Sequence, residues 1–155
     1  MPTSSATDVF AELAVGAAAE SPLWGDALRP EPEQEREPVF SPLAAGRFAL
    51  GLETIYEGYL LHYGRSRLFA PADDDVALLL GDYLYAHGLV RIAATGDLGA
   101  VETLAELISA CAALRAEGAG GDGEEWLRAA RRLGGGANGL AAAERALAAH
   151  ARRLS

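Results

Sequence analysis

The side chains able to do chemistry in this 155-residue chain fall into a few short groups. Arg65 and Arg67 stand two apart, shortly before Asp73, Asp74 and Asp75. A guanidinium offers phosphate a bidentate fork, so the arginine pair could receive a diphosphate; the reading we favour is a surface salt-bridge cluster with the aspartates. Three consecutive aspartates invite a metal reading, but neighbours on a helix point about 100° apart and do not converge on one ion. They fit a first helical turn, where carboxylates meet the positive end of the helix dipole. His62 and His87 lack a second ligand three or four residues away, which argues against a metal centre. Tyr56, Tyr59 and Tyr63 recur at helical spacing and could line an apolar cavity, or serve as core or interface. Cys111 lies among Ile108, Ala112 and Leu114, the setting of a buried thiol rather than a nucleophile. As the single cysteine it forms no intrachain disulfide. The glycine-rich run 117–123 lacks the Lys-Ser/Thr ending of a phosphate loop, and no serine sits in a Gly-x-Ser-x-Gly elbow. We expect no cofactor, no metal and no catalytic residue.

The elements that position these groups read as helices throughout. Asp73 to Ile92 forms the longest, mostly buried, with Val76, Leu79, Leu80, Tyr83, His87 and Val90 as one wide apolar face. Ala77, Gly81, Leu84 and Gly88 make a narrow second stripe. Ser41 as cap and Pro42 at the first helical position start another helix, running to Tyr63. Gly51 and Gly58 lie seven apart, as Gly81 and Gly88 do. Two such helices can pack backbone to backbone, as antiparallel neighbours joined by the short loop 64–71. These four glycines, with Tyr59 and Tyr83, are the candidate helix-packing and interface residues. A further helix starts at Asp97, burying Leu98, Val101, Leu104, Ala105, Ile108 and Ala112. Before this core, residues 1–20 hold a short amphipathic helix (Val9, Phe10, Leu13, Ala17), with N-cap candidates from Thr3 to Asp8. Residues 21–40, rich in proline and glutamate, read as an extended linker, with Leu23, Trp24 and Leu28 as an anchor. After the core (41–116) and the glycine-rich loop, 124–155 holds a helix with Trp126, Leu127, Ala130 and Leu133. An alanine-rich helix follows, with the face Leu140, Ala143, Leu147 and Leu154. The fold class is an all-α bundle of five or six helices.

Two stretches carry a resemblance. Leu78-Leu79-Leu80-Gly81-Asp82-Tyr83-Leu84-Tyr85-Ala86 is similar to the "LLxGDYLxA" helix of the trans-isoprenyl diphosphate synthases. Upstream, Glu53 to His62 resembles that family's "E-x-I-H-x-x-S-L-L-H", in the same order. Where the family continues with "DDxxD", which holds magnesium and the allylic diphosphate, this chain reads Tyr63-Gly64-Arg65-Ser66-Arg67. The spacing from His62 to Gly81 is also shorter, and no second aspartate-rich motif follows. The resemblance, over 44–114, therefore implies part of the synthase bundle without its catalytic metal site. In this it is similar to the small non-catalytic component of the two-component heptaprenyl diphosphate synthases.

The totals limit the partners. A net charge of −9 argues against nucleic acid, which needs a basic face. All thirteen basic residues are arginine, which with the abundant alanine and glycine reads as GC-rich bacterial coding. No uncharged stretch of about 18 apolar residues is present, and no basic region precedes an apolar run, so neither a membrane span nor a secretion signal is indicated. We expect a cytoplasmic protein, with peripheral membrane contact left open. The reading that best joins these points is a non-catalytic subunit, acting as an oligomer with a catalytic polyprenyl diphosphate synthase or with itself. Its alternatives are a helical adaptor of an unrelated complex, and a free-standing lipid-binding protein or enzyme.

Overall fold

The computed structural model describes residues 6–154, with side chains from Val9 onward; the N-cap candidates at 3–5 lie outside the described residues. The described chain is all-α: seven helices, with no strand among the described residues. In order they are α1 (Ala6–Glu20), α2 (Pro22–Ala27), α3 (Ala49–Tyr63), α4 (Asp74–Ala93), α5 (Leu98–Ala116), α6 (Asp122–Arg132) and α7 (Leu140–Leu154).

The hub of the fold is α3 rather than α4. Every residue from Gly51 to Leu60 is buried, because α1, α4 and α7 surround α3. On one side Phe10, Leu13, Leu68, Phe69, Leu80 and Leu84 form a small core. On the other, Phe40, Phe48, Tyr56, Tyr59, Leu104 and Trp126 belong to the main one. Full burial of each large apolar side chain contributes about 1.5–3 kcal/mol.

The expected single helix from Pro42 does not form. Two 3-10 turns, Ser41–Leu43 and Gly46–Phe48, precede α3, and Ala44 between them is extended. Ala44 bridges to Gly135, and a Cβ on Gly136 would lie 2.4 Å from the Pro42 carbonyl oxygen. The C-terminal loop therefore presses on the backbone just where the helix would start. Ser41 does not cap; its hydroxyl donates to Glu53 at 2.5 Å.

α3 and α4 run antiparallel, and their glycines mark the closest approach. A Cβ on Gly58 would lie 2.9 Å from the Gly81 carbonyl oxygen, and one on Gly88 would lie 3.1 Å from that of Gly51. This contact turns α4 away from the orientation expected of it. Its buried residues are Leu80, Gly81, Leu84, Gly88 and Ile92, the narrow stripe and its flanks. The expected wide apolar face is split: Leu80 is buried and Val76, Tyr83 and His87 are half-buried, while Leu79 at 55% and Val90 at 62% exposed look outward. The expectation of a mostly buried α4 is corrected accordingly.

Other faces shift as well. α5 buries Ala100, Thr103, Leu104, Leu107 and Cys111, while Leu98 is left at the exposed first turn. α7 buries Ala143, Ala146, Ala149, His150 and Arg153, while Leu140 is exposed. In both alanine-rich helices several arcs are apolar, so close approach of small residues and polar pairing choose the inner one. Asp97 does cap α5, accepting from the Ala100 amide at 2.9 Å.

The segment 21–40 is tethered rather than a free linker. Ser21 caps α2 by accepting from Leu23 N. The backbone then pairs with the 64–71 loop: Arg29 N donates to Leu68 O at 2.8 Å and Ala70 N to Ala27 O at 2.7 Å. Glu35 N donates to Arg67 O at 3.1 Å. Neighbouring carbonyls supply the partners that the segment's own few apolar residues cannot. Trp24 packs on Tyr83, ring centroids 5.9 Å apart.

Candidate functional site

Two polar networks penetrate the helices. The first is wholly buried. Glu53 and Glu57, one turn apart on α3, both face Arg67 from the α3–α4 loop. Arg67 Nη1 donates to Glu53 at 2.7 Å and to the Glu37 carbonyl at 2.7 Å, and Nε donates to Glu57 at 2.8 Å. Ser66 donates to Glu57, which also accepts from the Arg67 and Leu68 amides. The unpaired Nη2 belongs to a guanidinium lying over the Phe10 and Tyr56 rings, at 4.6 and 5.0 Å, where cation–π attraction takes the place of a hydrogen bond. Burial works against the charge of Arg67, but the two carboxylates outweigh it and hold the guanidinium more firmly protonated than usual.

The second network reaches the surface at the start of α6. Asp122 accepts from Tyr59, from Arg115 Nη2 at 2.8 Å and from His150 Nε2 at 3.1 Å. His150 Nδ1 lies 2.7 Å from the Tyr56 hydroxyl. Burial works against the Asp122 charge, yet these partners hold its carboxyl below the usual range. Burial raises both Tyr56 and Tyr59 far above the ordinary phenol value. The hydrogen-bonded chain Tyr56–His150–Asp122 ties α3, α6 and α7 together.

The sequence candidates are placed apart. Arg67 is enclosed and fully engaged, whereas Arg65 is exposed and pairs with Glu35 at 2.9 Å, so the two do not converge on a phosphate. Neither pairs with Asp73–Asp75; Asp73 caps α4 by accepting from Val76 N at 2.9 Å. Gly51, Gly58, Gly81 and Gly88 lie at the α3–α4 contact. Tyr59 is in the main core, while Tyr83 is half-buried beside Trp24 and stacks on His87 at 5.3 Å. His62 Nε2 stands 3.1 Å from Asp82. No group of three or more His, Cys, Asp or Glu that could hold a metal occurs among the described residues. Grooves of about 330 Å³ beside α7 and 380 Å³ at the α3–α4 loop are open to the surface. The residues the sequence reading missed are Glu53, Glu57, Asp122 and His150. Of these only the carboxylate pair carried a signal: two acids at i, i+4 inside an apolar run imply a buried cation.

Cys111 is buried, and its thiol is pushed up to about 12 by burial and by the charges of Asp122 and Glu125. It should stay unlabelled by a disulfide reagent at pH 7.5 until denaturant is added. Labelling of the folded protein within seconds would contradict that placement.

The fold and these networks define an all-α bundle whose buried polar groups tie its helices together. Comparison with protein-family models, with curated proteins and with solved structures finds no match.

Proposed function

We propose that this chain is a non-catalytic helical subunit that docks on a protein partner through the outer face of α4. The observation that carries this reading is the exposure of that face. Leu79, Ala86, Val90 and Ala93 follow one another along it, Leu78 flanks it at 52% exposed, and its exposed charges are Asp75 and Asp82. An outward row of apolar residues along a 20-residue helix, interrupted at Asp82, suits helix-in-groove or helix-pair recognition. α4 is also long and apolar enough to cross a membrane by length and composition alone. Its opposite face is occupied by α3, so a role as an integral span finds little support. The partner to which the resemblance of Glu53–His62 and Leu78–Ala86 points is a catalytic polyprenyl diphosphate synthase. Supporting a non-catalytic role, Glu53 and Glu57 are neutralised by Arg67, and Asp73 is used as a helix cap.

Light scattering of the full chain, alone and mixed with a candidate synthase, tests this. A complex should form, and Leu79→Glu with Val90→Glu should weaken it by about 100-fold or more, the loss of two central interface residues. The double variant should keep its fold, since surface substitutions usually change stability by less than about 0.5 kcal/mol each. A monomer in every mixture, or binding indifferent to the two glutamates, would remove this reading.

A further inference from the structure

We infer that His150 is an acid-sensitive latch, whose protonation releases α7 from α3 and α6. The argument begins with donors and acceptors. The Asp122 carboxylate can only accept, so the Nε2 facing it at 3.1 Å carries the ring hydrogen. In the neutral ring Nδ1 then accepts, and the Tyr56 hydroxyl donates to it at 2.7 Å. In this state both ring nitrogens and the Tyr56 hydroxyl hydrogen all have partners. A proton added from solvent at Nδ1 turns that acceptor into a donor. The Tyr56 oxygen must then accept, and its own hydrogen loses the one acceptor it has.

The charges facing His150 come from several elements. α3 supplies Tyr56 and Tyr59, α6 supplies Asp122 and Glu124, and α5 supplies Arg115. On α7 itself Arg153 points to Glu35 and Glu37 of the 21–40 segment, with Glu35 at 2.8 Å. The acids favour the imidazolium and Arg115 opposes it, but burial is the largest influence and the balance favours the neutral ring. The folded value therefore lies below that of an unfolded histidine, about 6.5. The unfolded segment takes up the proton first as pH falls. The stabilisation is complete above about pH 6.5 and is lost as pH falls from there through the folded value. The remaining anchors of α7 include Arg153 with Glu35, the Arg65 amide on the Arg153 carbonyl, and the alanine packing of Ala143, Ala146 and Ala149. Small residues bury little area, so this cover is thin, and its departure would expose Phe40, Tyr56, Tyr59 and Trp126.

Amide hydrogen exchange on the full chain at pH 7.5 and pH 5.0, corrected for intrinsic rates, tests the latch. Opening of residues 140–154 should become easier at pH 5.0 than at pH 7.5, the direction linkage gives to a buried histidine held neutral, while α3 and α4 keep their protection. His150→Gln, which cannot be protonated, should show no such pH difference whatever its baseline. Tyr56→Phe should shrink the difference, because Nδ1 then has no donor to lose. Should the glutamine variant fail to fold, an NMR titration of His150 in the wild type and in Tyr56→Phe decides, with the wild type below the ordinary histidine value and the variant nearer to it. Equal α7 protection at both pH values in the wild type, an acid loss unchanged in His150→Gln, or an ordinary His150 titration would each overturn the inference.

Discussion

Arg67→Met should destabilise the protein by about 3–5 kcal/mol, the usual consequence of removing one partner from a buried ionic cluster. Domains of this size hold about 5–15 kcal/mol in all, so the variant should populate unfolded chain under native conditions. Glu53 and Glu57 are at most 2% exposed, and Arg67 is their shared cation. Without it both carboxylates stay in a low-dielectric interior with only hydroxyl and amide donors. The Glu37 carbonyl loses its Nη1 donor too, so the 21–40 segment should loosen as α3 weakens. Arg67→Lys should rescue little, since one ammonium lacks the planar fork that reaches Glu53, Glu57 and Glu37 together. Adding Glu53→Gln and Glu57→Gln to Arg67→Met should recover much of the loss by removing the unpaired charges. Urea unfolding followed by circular dichroism measures all three. A loss below about 1 kcal/mol in Arg67→Met would mean that water or another cation reaches the pair.

Gly81→Leu should cost about 1–3 kcal/mol or more by overpacking the α3–α4 contact. Even a Cβ at Gly81 would sit 2.7 Å from His62 Nε2 and 3.1 Å from the Gly58 carbonyl oxygen. The His62 ring can shift, but the backbone of the neighbouring helix cannot move without parting the two. Loss of a mid-helix glycine returns up to about 1 kcal/mol of helix propensity, which offsets only part of the clash. Gly120→Ala is the control: nothing lies within 4 Å of its Cβ, and stability should change little. A thermal melt for Gly81→Leu at or above the wild-type midpoint would show that α4 can tilt away from α3.

What the sequence determined by itself is the helical class and the local signals that need no distant partner. Asp97 and Asp73 cap their helices because a carboxylate three residues before an amide reaches it in any context. Gly51 and Gly58 meet Gly88 and Gly81 because equal spacing of seven on two antiparallel helices aligns them at whatever depth they pack. Tertiary structure decided the rest. α4 has two apolar stripes, and periodicity favoured the larger side chains. The smaller stripe faces inward because it lets two backbones approach within van der Waals contact, which the leucine and valine face would prevent. The same competition set the inner arcs of α5 and α7, where alanine is apolar on every side. Arg67 read as a surface cation from its loop position, since nothing local shows that Glu53 and Glu57 lie beneath it, ten and more residues earlier. The 21–40 segment read as unpaired because its partners are the backbone of a loop some forty residues away. His150 and Asp122 share a hydrogen-bond chain only once α6 and α7 fold against α3, so their chemistry belongs to the assembled bundle and to no single stretch of sequence.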